Sequence, residues 1–186
     1  MPAAMTTRIH FDFDEAKATQ VAALLIRESG GASDHYLLMK CFYDLDREAL
    51  SRWGQPIIGG TYERFEYGPI IGEAYQASKI GAKSFYSDHI HRAGNEVSVS
   101  RDPGTDDLSK AETKLAEEIW QRWKNLTFEQ ARKKSHELPE YNDRDMEGDV
   151  IPVETILECC GKSEKFIAGV AEDVRAAQVL KSVFKS

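Results

Sequence analysis

Four titratable side chains, Asp46, Arg47, Tyr67 and His136, are of the types that acid–base catalysis uses. Proton transfer requires such groups to lie within hydrogen-bond reach of one another. The sequence supplies no nucleophile motif and no phosphate-binding loop beside them. We therefore predict that the four form a buried polar network that fixes the packing of the second helix, the following strand and the fifth helix. No catalytic residue is predicted.

A second candidate chemistry is metal binding by His89 and His91, whose His-x-His spacing occurs in some metal sites. Two histidines without an identifiable third ligand are a weak signal, so neither a metal nor a cofactor is predicted. The pair Gly59-Gly60 and the single Gly68 are too sparse to cradle a phosphate, and they are interpreted as turn residues.

Thiol chemistry has little support from the three cysteines. Cys159 and Cys160 are adjacent, and Cys41 lies among apolar residues and is interpreted as a core side chain. An odd count with two neighbours is a poor disulfide framework and is typical of a reducing compartment. A redox switch at Cys159-Cys160 is the minor alternative.

Size and charge narrow the class of protein. The chain has 186 residues and a formal net charge of −7, which predicts one domain with a modest extension. The acidic balance argues against nonspecific nucleic-acid binding, because phosphate contacts need clustered lysines and arginines. The first ten residues lack a signal-peptide pattern, and no apolar run is long enough for a membrane span. A cytoplasmic location without a membrane partner is predicted.

Two helices are predicted at the start of the chain, and the second of them contains Asp46 and Arg47. The first begins at Asp12 and ends at Gly30-Gly31, and the second is capped by Ser33 and runs to about Trp53. At about 100° per residue, Asp46 falls inside the broad apolar stripe of the second helix. A buried carboxylate without a partner is costly, so Asp46 requires a hydrogen-bonding or cationic neighbour.

In the middle of the chain we predict one strand, then a third helix, then a β-hairpin. A turn and a short strand lie within 57–67, and Gly68-Pro69 opens a third helix that ends at Gly81. Residues 88–101 predict a β-hairpin around Gly94-Asn95. Its two-residue loop sets the pairs Ile90–Val99, Arg92–Val97 and Asp88–Arg101.

Four further helices are predicted after the hairpin. Two begin with the capping boxes at 109–112 and 127–130, a third runs from Pro152 to Cys160, and Ser163 caps the last. One stripe of the last helix is apolar and contains Ile167, Val170, Val174, Ala177, Leu180 and Phe184. The predicted fold class is α+β, mainly α, with a small three-stranded antiparallel sheet (a strand plus a β-hairpin) inserted between helices.

Two stretches resemble the Panacea domain of SocA-like antitoxins. The first comprises 39–48, 53–59 and 67–69, and it is similar to the family's K-L-L-Y-x-x-D-R-E, Y-G-x-P-I-T-G and Y-G-P motifs in the same order. The second runs from 108 to 137, with Ser135 and Tyr141 where the family typically has Thr and Trp. The positions that carry the family motif are Lys40, Tyr43, Asp46, Arg47, Glu48, Gly54, Pro56, Gly59, Tyr67, Gly68 and Pro69.

The resemblance implies an antitoxin that neutralises a co-encoded protein toxin by direct binding and that is not an enzyme. Family members are paired with chemically diverse toxins, and some are known only as phage-associated proteins, so the resemblance names no particular target. Two alternatives remain open. One is a winged-helix-like DNA-binding regulator, with the helix at 69–79 as its reader and its own promoter as its target. The other is an adaptor that delivers a toxin to a protease.

The extent of the resemblance also predicts how the chain is organised into a domain and an extension. Residues 12–145 are interpreted as the Panacea-like domain, and residues 150–186 as a helical extension that packs on it or on a partner. An amphipathic helix that docks in a partner's groove uses such a stripe. The possible partner-binding residues are therefore Ile167, Val170, Val174, Leu180 and Phe184.

Overall fold

The computed structural model describes residues 8–141 and 149–184. Eight helices and five strands lie within these ranges. In chain order they are α1 (Glu15–Glu28), β1 (Ala32–Asp34), α2 (His35–Trp53), β2 (Tyr62–Glu63), β3 (Ile70–Ile71), α3 (Gly72–Ala77), α4 (Phe85–His89), β4 (Ile90–Ala93), β5 (Glu96–Val99), α5 (Lys110–Trp120), α6 (Phe128–His136), α7 (Val153–Cys159) and α8 (Glu164–Phe184).

Helix α2 is the central element, and it contacts α1, α5, α6 and α7 as well as β1 and β3. Because neighbours cover it on several sides, apolar side chains such as Leu38 and Phe42 are buried together with the polar residues Lys40, Asp44 and Asp46. These polar groups need hydrogen-bond partners inside the protein, since little of their surface is accessible to water.

The starts of α1 and α2 differ from the prediction by one or two residues. Asp14 caps α1, not Asp12, and Asp34 caps α2, not Ser33. In both helices the capping carboxylate accepts a backbone amide of the first turn. Ser33 belongs to β1, and Asp12 directly follows an isolated β-bridge, so extended backbone places the true caps closer to each helix.

The three-stranded antiparallel sheet is confirmed, with the order β1-β5-β4. The predicted hairpin pairs Ile90–Val99 and Arg92–Val97 are also confirmed. The predicted pair Asp88–Arg101 is wrong, because Asp88 lies in α4 and the first hairpin strand begins only at Ile90. The strand that joins the hairpin is β1, however, and not the strand predicted within 57–67. Residues of that segment instead form β2, which pairs with β3 in a separate two-stranded sheet.

The predicted helix at 69–79 is shorter than expected. Ile70 and Ile71 are β-branched residues that pair with β2, and α3 occupies only the six residues Gly72–Ala77. The helix ends before Ser78 and not at Gly81. The mainly α-helical class with a small antiparallel sheet is nevertheless confirmed.

The helices after the hairpin complete the core. Both predicted capping boxes are present at the starts of α5 and α6. Trp120 and Trp123 lie buried against the central helix region, and α7 adds buried Ile156 and Leu157. The segment that leads into α7 is tied to β2, because the Ile151 amide donates to the Tyr62 carbonyl at 2.7 Å. None of the helices in the described ranges has the length and hydropathy of a membrane span.

Candidate functional site

Asp46 holds the loop that follows α2. Its Oδ1 accepts the backbone amides of Ile57 at 2.9 Å and Ile58 at 2.8 Å, and its Oδ2 accepts the Gly59 amide at 2.8 Å and the Tyr62 hydroxyl at 3.0 Å. The carboxylate is fully buried. The neighbours that its position in the apolar stripe requires are therefore three amides and a phenol, with no cation among them.

These four donors determine the charge of Asp46. Burial raises the pKa of its carboxyl to about 6, while the bonds to the amides of Ile58, Gly59 and Ile57 and to the Tyr62 hydroxyl act in the opposite direction. Both oxygens accept two bonds each, so a proton on either one would displace a donor. The group is ionised at neutral pH and acts as an anchor for backbone.

The loop held by Asp46 lies directly against the N-terminal segment. The Asp14 amide donates to the Ile58 carbonyl at 2.8 Å, and the Gly60 amide donates to the Phe11 carbonyl at 3.0 Å. Gly59 has a positive φ of 71°, and a Cβ built on it would lie 2.3 Å from the Asp12 carbonyl oxygen. Glycine is thus required at this position both by conformation and by space.

Arg47 points to a different partner, Glu140. Its Nε donates to Oε1 at 2.5 Å, and the Tyr43 hydroxyl donates to the same oxygen at 3.1 Å. Arg64 donates to the Glu140 backbone carbonyl at 3.0 Å. Burial, together with Glu140, raises the pKa of the Tyr43 hydroxyl well above its usual value. This group ties α2 to the end of the segment after α6.

Lys40 is a buried lysine of α2. Its Nζ donates to the Gly68 carbonyl at 2.6 Å and to the Pro69 carbonyl at 3.1 Å. Burial lowers the pKa of this amine to about 7. A Cβ on Gly68 would lie 2.3 Å from Cβ of Ser135, so the turn also packs tightly on α6. Lys40 therefore fixes the turn that carries Tyr67.

Tyr67 belongs to a surface cluster that we call the aromatic patch, formed by Tyr36, Tyr67 and Phe128. The ring centroid of Phe128 lies 4.8 Å from that of Tyr36 and 5.3 Å from that of Tyr67. The Tyr36 hydroxyl donates to the Tyr67 carbonyl at 2.8 Å, and the Arg132 guanidinium lies over the Tyr67 ring at 5.9 Å. Tyr67 and Phe128 are 42% and 44% exposed. The patch therefore presents aromatic surface to solvent.

His136 lies at the end of α6, beside the aromatic patch. Its Nε2 is 3.0 Å from the Glu66 carbonyl oxygen, and its ring stacks on Tyr141 with a centroid distance of 4.7 Å. The Tyr141 hydroxyl donates to the Phe65 carbonyl at 2.6 Å. These contacts attach the β2–β3 connection to the region after α6.

The structure does not gather the four predicted network residues, all of which it describes, into one group. Asp46 and Arg47 are consecutive in a helix, so their side chains diverge by about 100° and reach different partners. Tyr67 joins the aromatic patch, while His136 contacts the Glu66 carbonyl. Each residue fixes packing in its own place, and no shared acid–base site is formed by these four.

The residues of the other candidate sites, the histidine pair and the cysteines, do not form a site in the described ranges either. His89 ends α4, where it is buried and its Nδ1 lies 2.8 Å from the Phe85 carbonyl oxygen. His91 is an exposed residue of β4, so the two histidines lie on different elements. Within the described ranges, no cluster of three or more His, Cys, Asp or Glu side chains could hold a metal. Cys41, Cys159 and Cys160 are free thiols.

The predicted stripe of α8 is divided between core and surface. Val170 and Val174 are buried, and Ile167 packs against the core. Leu180 and Phe184 are 58% and 85% exposed. Gly54 permits the close approach of α8, because a Cβ there would lie 2.9 Å from Cγ2 of Val170.

A cavity of about 520 Å³ lies between α8, the N-terminal segment and the loop held by Asp46. We call it the α8 groove. It is lined by residues within 10–17, within 54–59 and on the face of α8 from Val170 to Lys181. An exposed salt bridge of 2.8 Å joins Lys181 on α8 to Asp12 on the N-terminal segment.

Sequence reasoning missed Glu140 and Tyr62. Glu140 lies between two predicted helices and was assigned no role, yet it is only 1% exposed and forms a salt bridge with Arg47. The available signal was Arg47 itself, since a cation beside an apolar stripe requires an acidic partner. The sequence does not identify that partner, because Arg47 and Glu140 are more than 90 residues apart and meet only through tertiary packing.

The fold and these polar anchors define a mainly α-helical domain with small antiparallel sheets. A comparison with protein-family models matches residues 38–141 to the family described as antitoxin SocA-like, Panacea domain. The match covers more than half of the chain and extends from α2 through α6. The chain therefore belongs to the SocA-like Panacea family. Searches of curated proteins and of solved structures each found no significant match.

Proposed function

We propose that this protein is an antitoxin that neutralises a co-encoded protein toxin by direct binding in the bacterial cytoplasm. The observation that carries the proposal is the family match over residues 38–141. The family implies a protein partner, and the proposed mechanism is that binding masks the toxin's active surface. No catalytic step by this chain is part of the proposal.

Two exposed surfaces support a binding role. The aromatic patch exposes Tyr67 and Phe128, and the end of α8 exposes Leu180 and Phe184. Large apolar side chains at the surface cost free energy in water, and contiguous groups of them are typical of interfaces. Tyrosine and arginine, which meet at the aromatic patch, are also enriched among the residues that dominate binding energy.

The decisive experiment uses the open reading frame next to the gene. Its product is expressed in bacteria with and without this protein, and growth and co-purification are measured together. We expect growth arrest by the neighbour alone, rescue by this protein, and a stable complex on size-exclusion chromatography. A harmless neighbour, or rescue without a complex, would refute neutralisation by masking.

A second candidate, DNA binding, is favoured by the sheet topology. Strand β1, which lies between α1 and α2, joins the β4–β5 hairpin in one antiparallel sheet, a topology similar to that of a winged helix. Against it, α3 is only six residues long, and Gln76 is its one exposed residue. Fluorescence anisotropy with a labelled fragment of the gene's own promoter tests this candidate, and salt-resistant sequence-specific binding would establish it.

The third candidate is an adaptor that delivers the toxin to a protease. It shares the binding step with the antitoxin proposal but adds degradation of the toxin. The toxin's half-life, measured with and without this protein in cells, separates the two. Masking alone leaves the half-life unchanged or longer, whereas an adaptor shortens it.

A further inference from the structure

We propose that the α8 groove receives a basic amphipathic helix of the partner protein. This inference rests on the proposed function, because the partner is the co-encoded toxin. It adds the surface that the toxin contacts and the chemistry of the toxin segment that fits there.

The shape of the groove suits a helix. Its floor is apolar and includes Pro56, Ile57, Val170 and Val174. One wall is α8, whose apolar stripe continues beyond the buried residues. A helix that packs along a neighbour's stripe of this kind interdigitates with side chains spaced three and four residues apart.

The same stripe connects the groove to the exposed end of α8. Ala177 lines the groove, and Leu180 and Phe184 follow it at i+3 and i+7, which places them on the same side of the helix. From residue 170 to residue 184 the stripe is about 21 Å long, at 1.5 Å per residue. That length matches about four turns of a partner helix.

The charge of the groove selects a basic segment. Four carboxylates line it, namely Asp12, Asp14, Glu15 and Asp173, against two lysines. Both lysines are neutralised within the protein, since Lys17 pairs with Glu112 and Lys181 with Asp12. In the described part of the chain, Asp14, Glu15 and Asp173 have no salt-bridge partner. Lysines or arginines on the polar face of the incoming helix would complement these three charges.

The floor of the groove is preorganised. Ile57 and Ile58 are held by the buried carboxylate of Asp46, and the Asp14 amide is bonded to the Ile58 carbonyl. The Lys181–Asp12 bridge across the two walls is exposed on both sides, so solvent screens it and it contributes little to stability. A partner cation can therefore replace Lys181 at Asp12 at little cost.

The test measures the affinity of the purified chain for the purified product of the neighbouring reading frame. Asp173→Lys reverses an exposed charge that lines the groove, and Glu172→Lys makes the same change at the adjacent exposed residue of α8, which does not line it. Phe184→Ser removes the exposed end of the stripe, and Ile80→Ser is its control on another exposed surface. Circular dichroism and melting temperatures verify that every variant is folded.

We expect Asp173→Lys and Phe184→Ser each to weaken the complex at least tenfold, with Glu172→Lys and Ile80→Ser within about threefold of the unmodified chain. Affinity of the unmodified chain should fall with added salt, and less steeply for Asp173→Lys. Unchanged affinity in both Asp173→Lys and Phe184→Ser would overturn the inference. Loss of binding in Phe128→Ser instead would place the toxin on the aromatic patch. If the unmodified chain forms no complex, the proposed function itself fails.

Discussion

Single buried charges determine how this domain holds its loops. Asp46 binds three consecutive amides and a tyrosine hydroxyl, and Lys40 binds two consecutive carbonyls. One carboxylate thus satisfies backbone donors on one side of α2, and one amine satisfies backbone acceptors on a different side. Both loops lack extensive sheet or helix bonds of their own, so these side chains replace secondary structure.

Removing the Asp46 carboxylate should be strongly destabilising. Asp46→Ala leaves three amides and the Tyr62 hydroxyl without their acceptor in a water-free site, so we expect a loss of about 3–5 kcal/mol in the free energy of unfolding. Urea denaturation followed by circular dichroism measures it. Asp106→Ala, at an exposed loop aspartate, is the control and should change stability by less than about 0.5 kcal/mol. An Asp46→Ala midpoint equal to that of the unmodified chain would refute the anchor role.

Lys40 should make stability depend on pH. Its pKa is about 7 in the folded protein, against an ordinary value of 10.5. Between these values the unfolded chain binds more protons than the folded one, so stability contributed by this group rises with pH from 7 toward 10.5. The neutral amine still has two N–H donors for the Gly68 and Pro69 carbonyls.

The comparison with Lys40→Met isolates this effect from other titrating groups. Between pH 7 and pH 9.5 the free energy of unfolding of the unmodified chain should rise by about 3 kcal/mol relative to the variant, since one pKa unit corresponds to about 1.4 kcal/mol. Parallel pH profiles for the two proteins would show that Lys40 has an ordinary pKa.

At the scale of elements, the loop after α2 requires glycine at position 59, because no other residue type fits there without strain. Gly59→Ala forces a Cβ to within 2.3 Å of the Asp12 carbonyl oxygen in a left-handed conformation. We expect a loss of at least about 2–3 kcal/mol by urea denaturation. Gly30→Ala is matched to it, because Gly30 also has a positive φ but has nothing within 4 Å of the built Cβ. Its cost should be limited to about 1 kcal/mol from conformation alone. Equal losses in the two variants would contradict the close contact.

Local sequence signals predicted some elements better than others. The capping boxes of α5 and α6 and the two hairpin pairs nearest the turn depend on neighbours within a few residues, and these were confirmed. The short strands β1, β2 and β3 were missed or misplaced, because two or three residues carry too little periodicity and their pairing is decided by distant partners. The buried state of Asp46 could be predicted from helical spacing, but its donors lie on a loop whose path the sequence does not specify.

At the scale of the whole molecule, the segment that follows residue 150 packs on the rest of the chain. Buried Ile151, Ile156 and Leu157 belong to the same core as α2, and the Ile9 amide donates to Glu154 at 2.7 Å. We therefore propose that α7 and the first half of α8 fold with the family domain. Only the second half of α8 is then a true extension.

A truncation series tests this division. Ending the chain after Gln178 removes residues that are exposed wherever the structure describes them, together with the exposed Lys181–Asp12 bridge, so stability should change by less than about 1 kcal/mol. Ending it after Gly161 removes buried Val170 and Val174 and should cost about 2–4 kcal/mol. Ending it after Asp149 should abolish folding. Full stability of the shortest chain, measured by urea denaturation, would restore the boundary at residue 150.

The distribution of the three tryptophans gives this protein a built-in optical reporter. Trp120 and Trp123 are buried, whereas Trp53 at the end of α2 is 44% exposed. A water-soluble quencher such as iodide should therefore reach a single indole in the native state and all three after unfolding. The emission spectrum then separates into a shielded component that follows folding and an accessible component that follows events at the surface next to Gly54.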